Sequence, residues 1–216
     1  GATPEGHDTT PPPRYTEASL VKALEERGIG RPSTYAATIS TITDRGYVSK
    51  RGQALVPSWV AFSVTRLLEQ NLGNLVDYDF TATMEQGLDH IAEGDQDSVA
   101  WLKSFYLGEG DDAPKVSEDG KGLLHQVESL GDIDARAVNS IDLGDGVTIR
   151  VGKYGPYLER DEETRANIPD DVAPDELTPE KVAELFKQAE NNGRILGNNP
   201  ENGREIVALD GRYGPY

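Results

Sequence analysis

Apolar positions in the first half of the chain recur every three to four residues, the period of helices that bury one face. Leu20, Val21 and Leu24 form such a face behind Tyr15-Thr16-Glu17, where Thr16 is placed to cap, Glu17 complements the helix dipole, and Tyr15 is placed to staple against Leu20. Gly28 ends this helix. Gly28-Ile29-Gly30-Arg31 then turns into Pro32-Ser33-Thr34, a helix start with proline in its first turn. Tyr35, Ile39 and Ile42 keep helical spacing until Asp44-Arg45-Gly46 stops it. The period then falls to two, and Tyr47 to Val56, alternating around Lys50-Arg51-Gly52, predicts a hairpin. Two helices, a tight glycine turn and a basic hairpin make a winged-helix pattern. Helical spacing returns three times: at Trp59, Phe62, Val64, Leu67 and Leu68, at Phe80, Met84, Leu88 and Ile91, and at Trp101, Leu102 and Phe105. Aromatic residues so spaced among other apolar residues are expected in a core, and these helices are expected to form a platform behind the hairpin.

The second half has a different rhythm. Gly152-Lys153-Tyr154-Gly155-Pro156-Tyr157 recurs as Gly211-Arg212-Tyr213-Gly214-Pro215-Tyr216, and each copy follows a short apolar alternation, Val147 to Val151 and Ile206 to Leu209. Between the copies, Leu177-Thr178-Pro179 starts a helix. Each unit is thus expected to be a small antiparallel sheet with one helix. The fold class is α+β: residues 1–13 a linker or the edge of the piece, 14–108 a winged-helix-like and helical region, 109–122 a linker nearly devoid of apolar residues, 123–190 the first repeat domain, and 191–216 the start of a second, truncated repeat.

With 36% apolar residues in 216, the chain carries enough for two modest cores. It has no run long enough to predict a membrane span and no secretory pattern at its start, so a cytoplasmic protein with no membrane partner is expected. Without cysteine, and with only His7, His90 and His125, it is not expected to hold a structural metal. The net charge of −17 argues at first against a polyanionic partner. Its distribution changes that conclusion: from Arg14 to Arg66, eight Lys/Arg face four Asp/Glu, whereas the rest of the chain is strongly acidic.

Pro12 to Val48, through Arg-Tyr-Thr-Glu-Ala-Ser-Leu-Val-Lys-Ala-Leu-Glu-Glu-Arg-Gly-Ile-Gly-Arg-Pro-Ser-Thr-Tyr and on to Asp-Arg-Gly-Tyr-Val, closely resembles the segment of bacterial type IA DNA topoisomerases that lines the single-strand groove. Leu75 to Thr81, Met84-Glu85 and the Gly-Lys/Arg-Tyr-Gly-Pro-Tyr repeats also look like that family, the repeats like those of members lacking zinc ribbons. The resemblance implies an intact enzyme that relaxes negatively supercoiled DNA without ATP, through a transient single-strand break held as a 5′-phosphotyrosine and assisted by magnesium. The family's nucleophile sits in a Tyr-x-Arg-Thr-Asp-Ser context and its acidic metal site lies in a separate domain. Neither is found here, so this chain carries no expected catalytic residue or cofactor and is expected to bind single-stranded DNA without cleaving it.

By position in the matching motif, Arg31, Ser33, Thr34 and Arg45 resemble residues that hold phosphates of the strand to be cut. Physical chemistry agrees for Arg31, at a helix N-terminus whose free amides and dipole favour an anion, with two hydroxyl donors beside it. Arg45 has the alternative of capping its own helix. Arg14, Lys50 and Arg51 are further candidate phosphate contacts, against the alternative of solvated surface charges. In the repeats, Tyr154, Tyr157, Tyr213 and Tyr216 are candidates to stack on bases beside Lys153 and Arg212, or else to pack on their own sheets. A free-standing winged-helix regulator of duplex DNA is a competing reading, but Tyr35 to Thr41 offers few side chains suited to base edges. An interaction module using the acidic C-terminal region, for instance toward RNA polymerase, is compatible with the first reading.

Overall fold

The structure, a computed structural model, describes residues 10–161, 164–191, 194–200, 204–208, 210–211 and 214–215. In chain order the elements are α1 (Glu17–Glu26), α2 (Pro32–Asp44), β1 (Val48–Arg51), β2 (Ala54–Pro57), α3 (Trp59–Asn71), α4 (Tyr78–Glu93), α5 (Ser98–Leu107), α6 (Leu123–Ser129), α7 (Ala135–Val138), β3 (Ser140–Gly144), β4 (Val147–Gly152), β5 (Gly155–Arg160), β6 (Thr164–Asn167), α8 (Pro179–Asn191), β7 (Arg194–Asn198), β8 (Glu205–Ala208), β9 (Asp210–Gly211) and β10 (Gly214–Pro215). Helices and antiparallel sheets segregate along the chain, an α+β architecture. Among the described residues no helix is long and apolar enough to cross a membrane.

The chain divides into two compact units, residues 1–56 with 73–127, and 57–72 with 128–216. In the first, α1 starts with a reciprocal cap: Ser19 N–H donates to Thr16 Oγ1 (3.2 Å) and Thr16 N–H to Ser19 Oγ (2.8 Å). The α1–α2 turn needs left-handed backbone at Gly28 (φ +69°) and Gly30 (φ +72°), conformations that L side chains resist. Asp77 and Asp97 cap α4 and α5, accepting from Phe80 and Ala100 N–H. The core of this unit is Trp101 stacked on Phe105, with Leu75, Phe80, Met84 and Ile91 packed against the cluster. Residues 109–122 depart from the expected linker. Ala113, Val116 and Ser117 are buried, the first two within the Trp101 cluster, and Ser104 Oγ accepts from Ala113 N–H at 3.1 Å. The segment's few apolar residues, Ala113 and Val116, both serve as anchors, so a stretch poor in them is still packed.

In the second unit, β3 to β6 form an antiparallel meander in that order. The register aligns Ile149 with Leu158 and Leu158 with Ala166, so alternation puts Val147, Ile149, Leu158 and Ala166 on one face. Val182, Leu185 and Phe186 of α8 cover that face. Trp59 of α3 joins the same core, which differs from the expected platform behind the hairpin. Trp59, Ser63 and Arg66 lie on one helical face; the first two are buried, and Arg66 Nη1 donates to the Ser140 carbonyl at 2.5 Å. Periodicity identifies a face to be buried but not the core that covers it. Phe62, off that face, is 45% exposed and leaves the expected core. Backbone pairing repeats with the sequence: Gly152 pairs with Gly155, and Gly211 with Gly214.

Candidate nucleic-acid interface

Arg31 is the N-cap of α2, with extended backbone (φ −141°, ψ 162°). Its amide donates to Thr34 Oγ1 at 3.0 Å, which holds Thr34 against the first turn, and Ser33 is exposed beside it. The guanidinium is already engaged. Nε and Nη2 reach Asp89 Oδ1 and Oδ2 at 3.3 and 2.5 Å, Nη1 donates to the Gly30 carbonyl at 2.6 Å, and Glu85 Oε2 lies 3.9 Å away. Glu85 also accepts from Gly30 N–H at 3.1 Å, so two carboxylates one turn apart on α4 tie down the α1–α2 turn. The Asp89 hydrogen bond raises the Arg31 pKa further, and the same bond holds the Asp89 carboxyl below the usual range. This fork–fork geometry is the one a phosphate would also take.

Arg45 stands at the other end of α2 as its C-cap, exposed, its amide bonded to the Thr41 carbonyl. The 13 residues of the helix separate it from Arg31, so the two cannot grip one phosphate. Lys50 on β1 pairs with Glu17 Oε1 at 2.6 Å, while Arg51 is exposed and Arg14 half-buried. A hollow of ≈ 730 Å³ between α1 and α2, lined by Val21, Tyr35 and Ile39 among others, adjoins Lys50.

In the repeat unit, Lys153 and Tyr154 form the β4–β5 turn. Tyr154 is 89% exposed and does not pack on the sheet, and Lys153 Nζ lies 5.6 Å from its ring centroid. Tyr157 is half-buried; a Cβ at Gly152 would stand 3.2 Å from its ring, and the Arg165 guanidinium lies 5.5 Å from its centroid. Arg212, Tyr213 and Tyr216 lie outside the described residues.

One cluster escaped the sequence reading. Glu159 is on the sheet face opposite the apolar core, 4% exposed. Arg150 reaches its Oε1 with Nε and Nη2, both at 3.0 Å, Arg136 Nη2 lies 3.4 Å from the same oxygen, and Arg165 Nη2 lies 3.3 Å from Oε2. Oε2 has no hydrogen bond despite that contact, so Arg165 holds it by charge alone. The outward register of Arg150, Glu159 and Arg165 was present in the alternation, but the acidic average of the region hid a local basic group.

The family described as DNA topoisomerase matches residues 1–103, and the topoisomerase C-terminal repeat matches residues 142–194 and 199–216. DNA topoisomerase 1 of Mycobacterium tuberculosis is 57% identical over 99% of this chain, that of Streptomyces coelicolor 54% over 99%, and that of Synechocystis 46% over 98%. The chain spans about a quarter of the length of these relatives, 23 to 24%. Full-length topoisomerase I of Thermotoga maritima superposes with a TM-score of 0.54 at 33% identity, over 76% of this chain and 26% of that one. A helical segment and a repeat that match successive parts of these proteins, in the same order and over nearly the whole sequence, place the chain in the bacterial type IA DNA topoisomerase I family.

Proposed function

We propose that this chain is a single-strand-binding part of an enzyme that relaxes negatively supercoiled DNA through a transient break held as a 5′-phosphotyrosine. The observation that carries the reading is the start of α2, where Arg31 caps the helix beside the hydroxyl side chains of Ser33 and Thr34, within the segment matched to DNA topoisomerase. Helices α1 and α2 with hairpin β1–β2 act as a winged-helix-like element, and Arg14, Arg45, Lys50 and Arg51 extend its phosphate contacts. Tyr154, with Lys153 at the same turn, offers a base a free ring face.

Magnesium serves the intact enzyme and not this chain. Among the described residues, His90, Glu93 and Asp95 bring ligand atoms within 4.8 Å of one another, but all three are exposed, and a His-containing surface group does not fit a cation that prefers oxygen donors in octahedral geometry. The acidic C-terminal unit suits a basic protein partner such as RNA polymerase. A monomer acting on nucleoid DNA in the cytoplasm completes the reading.

The test is a salt-dependent titration of single-stranded and duplex oligonucleotides with the wild type and the Arg31→Ala/Arg45→Ala double variant. Expected are single-strand preference, weaker binding by the variant whatever the sequence, and a salt slope flatter by about 0.7 per lost phosphate contact. Duplex preference, or an unchanged slope, would instead favour the regulator reading.

A further inference from the structure

The outer face of the repeat sheet holds an arrangement that its composition conceals. Three arginines from α7, β4 and β6 converge on one carboxylate, Glu159, which is buried among them. The group carries two net positive charges. Arg136 and Arg165 are 65% and 57% exposed, while Arg150, at 20%, donates to Glu159 Oε1 from Nε and Nη2 and to Ser140 Oγ from Nη1. Glu159 is therefore screened from an approaching anion by the cations it holds, and the outer guanidinium edges of Arg136 and Arg165 remain open to solvent. A buried carboxylate with one oxygen lacking a hydrogen bond is costly unless cations compensate it, so the assembly keeps its arginines close. Tyr157 lies on the same face, its ring beneath Arg165, within reach of a base attached to a bound phosphate.

We propose that Glu159 is a positioning residue that fixes Arg136, Arg150 and Arg165 as a preorganised phosphate-binding fan for the backbone of a single-stranded nucleic acid crossing the sheet. This rests on the single-strand-binding reading above. Holding the arginines in advance removes the rotamer entropy they would otherwise lose on binding, the gain from preorganisation. It also yields an unusual sign. If Glu159 acted only through its charge, removing an acid from the path of a polyanion would tighten binding, whereas a positioning role requires the opposite.

The experiment measures oligodeoxythymidine binding to the full chain across a salt series for Glu159→Gln, Arg136→Ala, Arg165→Ala and Arg165→Lys, with thermal melts to establish folding. Glu159→Gln is expected to weaken binding, and the Arg150 Nε–H resonance, discrete in the wild type, is expected to broaden or vanish. Arg136→Ala and Arg165→Ala, altering exposed side chains, are expected to fold and to flatten the slope by about 0.7 each, with Arg165→Lys restoring it. Folded Glu159→Gln that binds as well as or better than wild type, or unchanged slopes in both arginine variants, would overturn the proposal. Should Glu159→Gln not fold, the arginine slopes decide. If these variants are silent while Arg31→Ala/Arg45→Ala still weakens binding, the fan fails and the broader reading stands; wild type that binds no single strand defeats both.

Discussion

Arg31 is where one residue carries opposing demands. As the N-cap of α2 it stands where an anion is favoured, yet Asp89 already occupies its donors. A phosphate must displace this carboxylate or share the guanidinium with it, so Asp89→Asn is expected to tighten single-strand binding at neutral pH, read as a lower Kd. The same pair sets a pH dependence. Because Arg31 depresses the folded-state pKa of Asp89, its contribution to stability is present above the ordinary aspartate range and is lost as pH falls through the depressed value. Melting curves should show Asp89→Asn slightly less stable than wild type at neutral pH, a small effect for an exposed pair, with the two converging in acid. A gap that widened on acidification would contradict the pairing.

At the scale of elements, the sequence made helix and hairpin positions legible because their signals are local: a Thr16 cap, prolines at Pro32 and Pro179, alternation at Val147 to Val151. What it left hidden depends on partners distant in sequence. Nothing near Trp59 indicates that α3 packs on a sheet some ninety residues onward, and nothing near Arg31 indicates Asp89, 58 positions away. Glycines mark other close approaches that no local pattern announces. A Cβ at Gly87 would stand 2.5 Å from Trp101 Nε1, so α4 can meet α5 only where a side chain is absent. Gly87→Ala is expected to cost about 1–3 kcal/mol in urea unfolding, the range for overpacking. A neutral result would mean that Trp101 shifts aside without loss. Trp59→Ala, which opens a gap in the sheet core, is expected to cost about 3–5 kcal/mol.

Across the whole molecule, two cores each hold one tryptophan, Trp101 in the first unit and Trp59 in the second. Emission from Trp59→Phe therefore reports the helical unit, and emission from Trp101→Phe the repeat. Adding Leu158→Ala, a buried truncation expected to cost about 2–5 kcal/mol, should lower the unfolding midpoint reported by Trp59 more than that reported by Trp101. Charge operates at this scale too. If, as proposed, this chain of net charge −17 meets DNA through local basic groups, one at the start of α2 and one on the repeat sheet, binding should weaken steeply with salt. The most direct test is a backbone and side-chain NMR shift map of the chain titrated with oligodeoxythymidine. Perturbations are expected to concentrate at residues 28–46 and on the outward residues of 140–167, including Tyr157 and Arg165. Shifts confined to other surfaces, or none at saturating oligonucleotide, would contradict it.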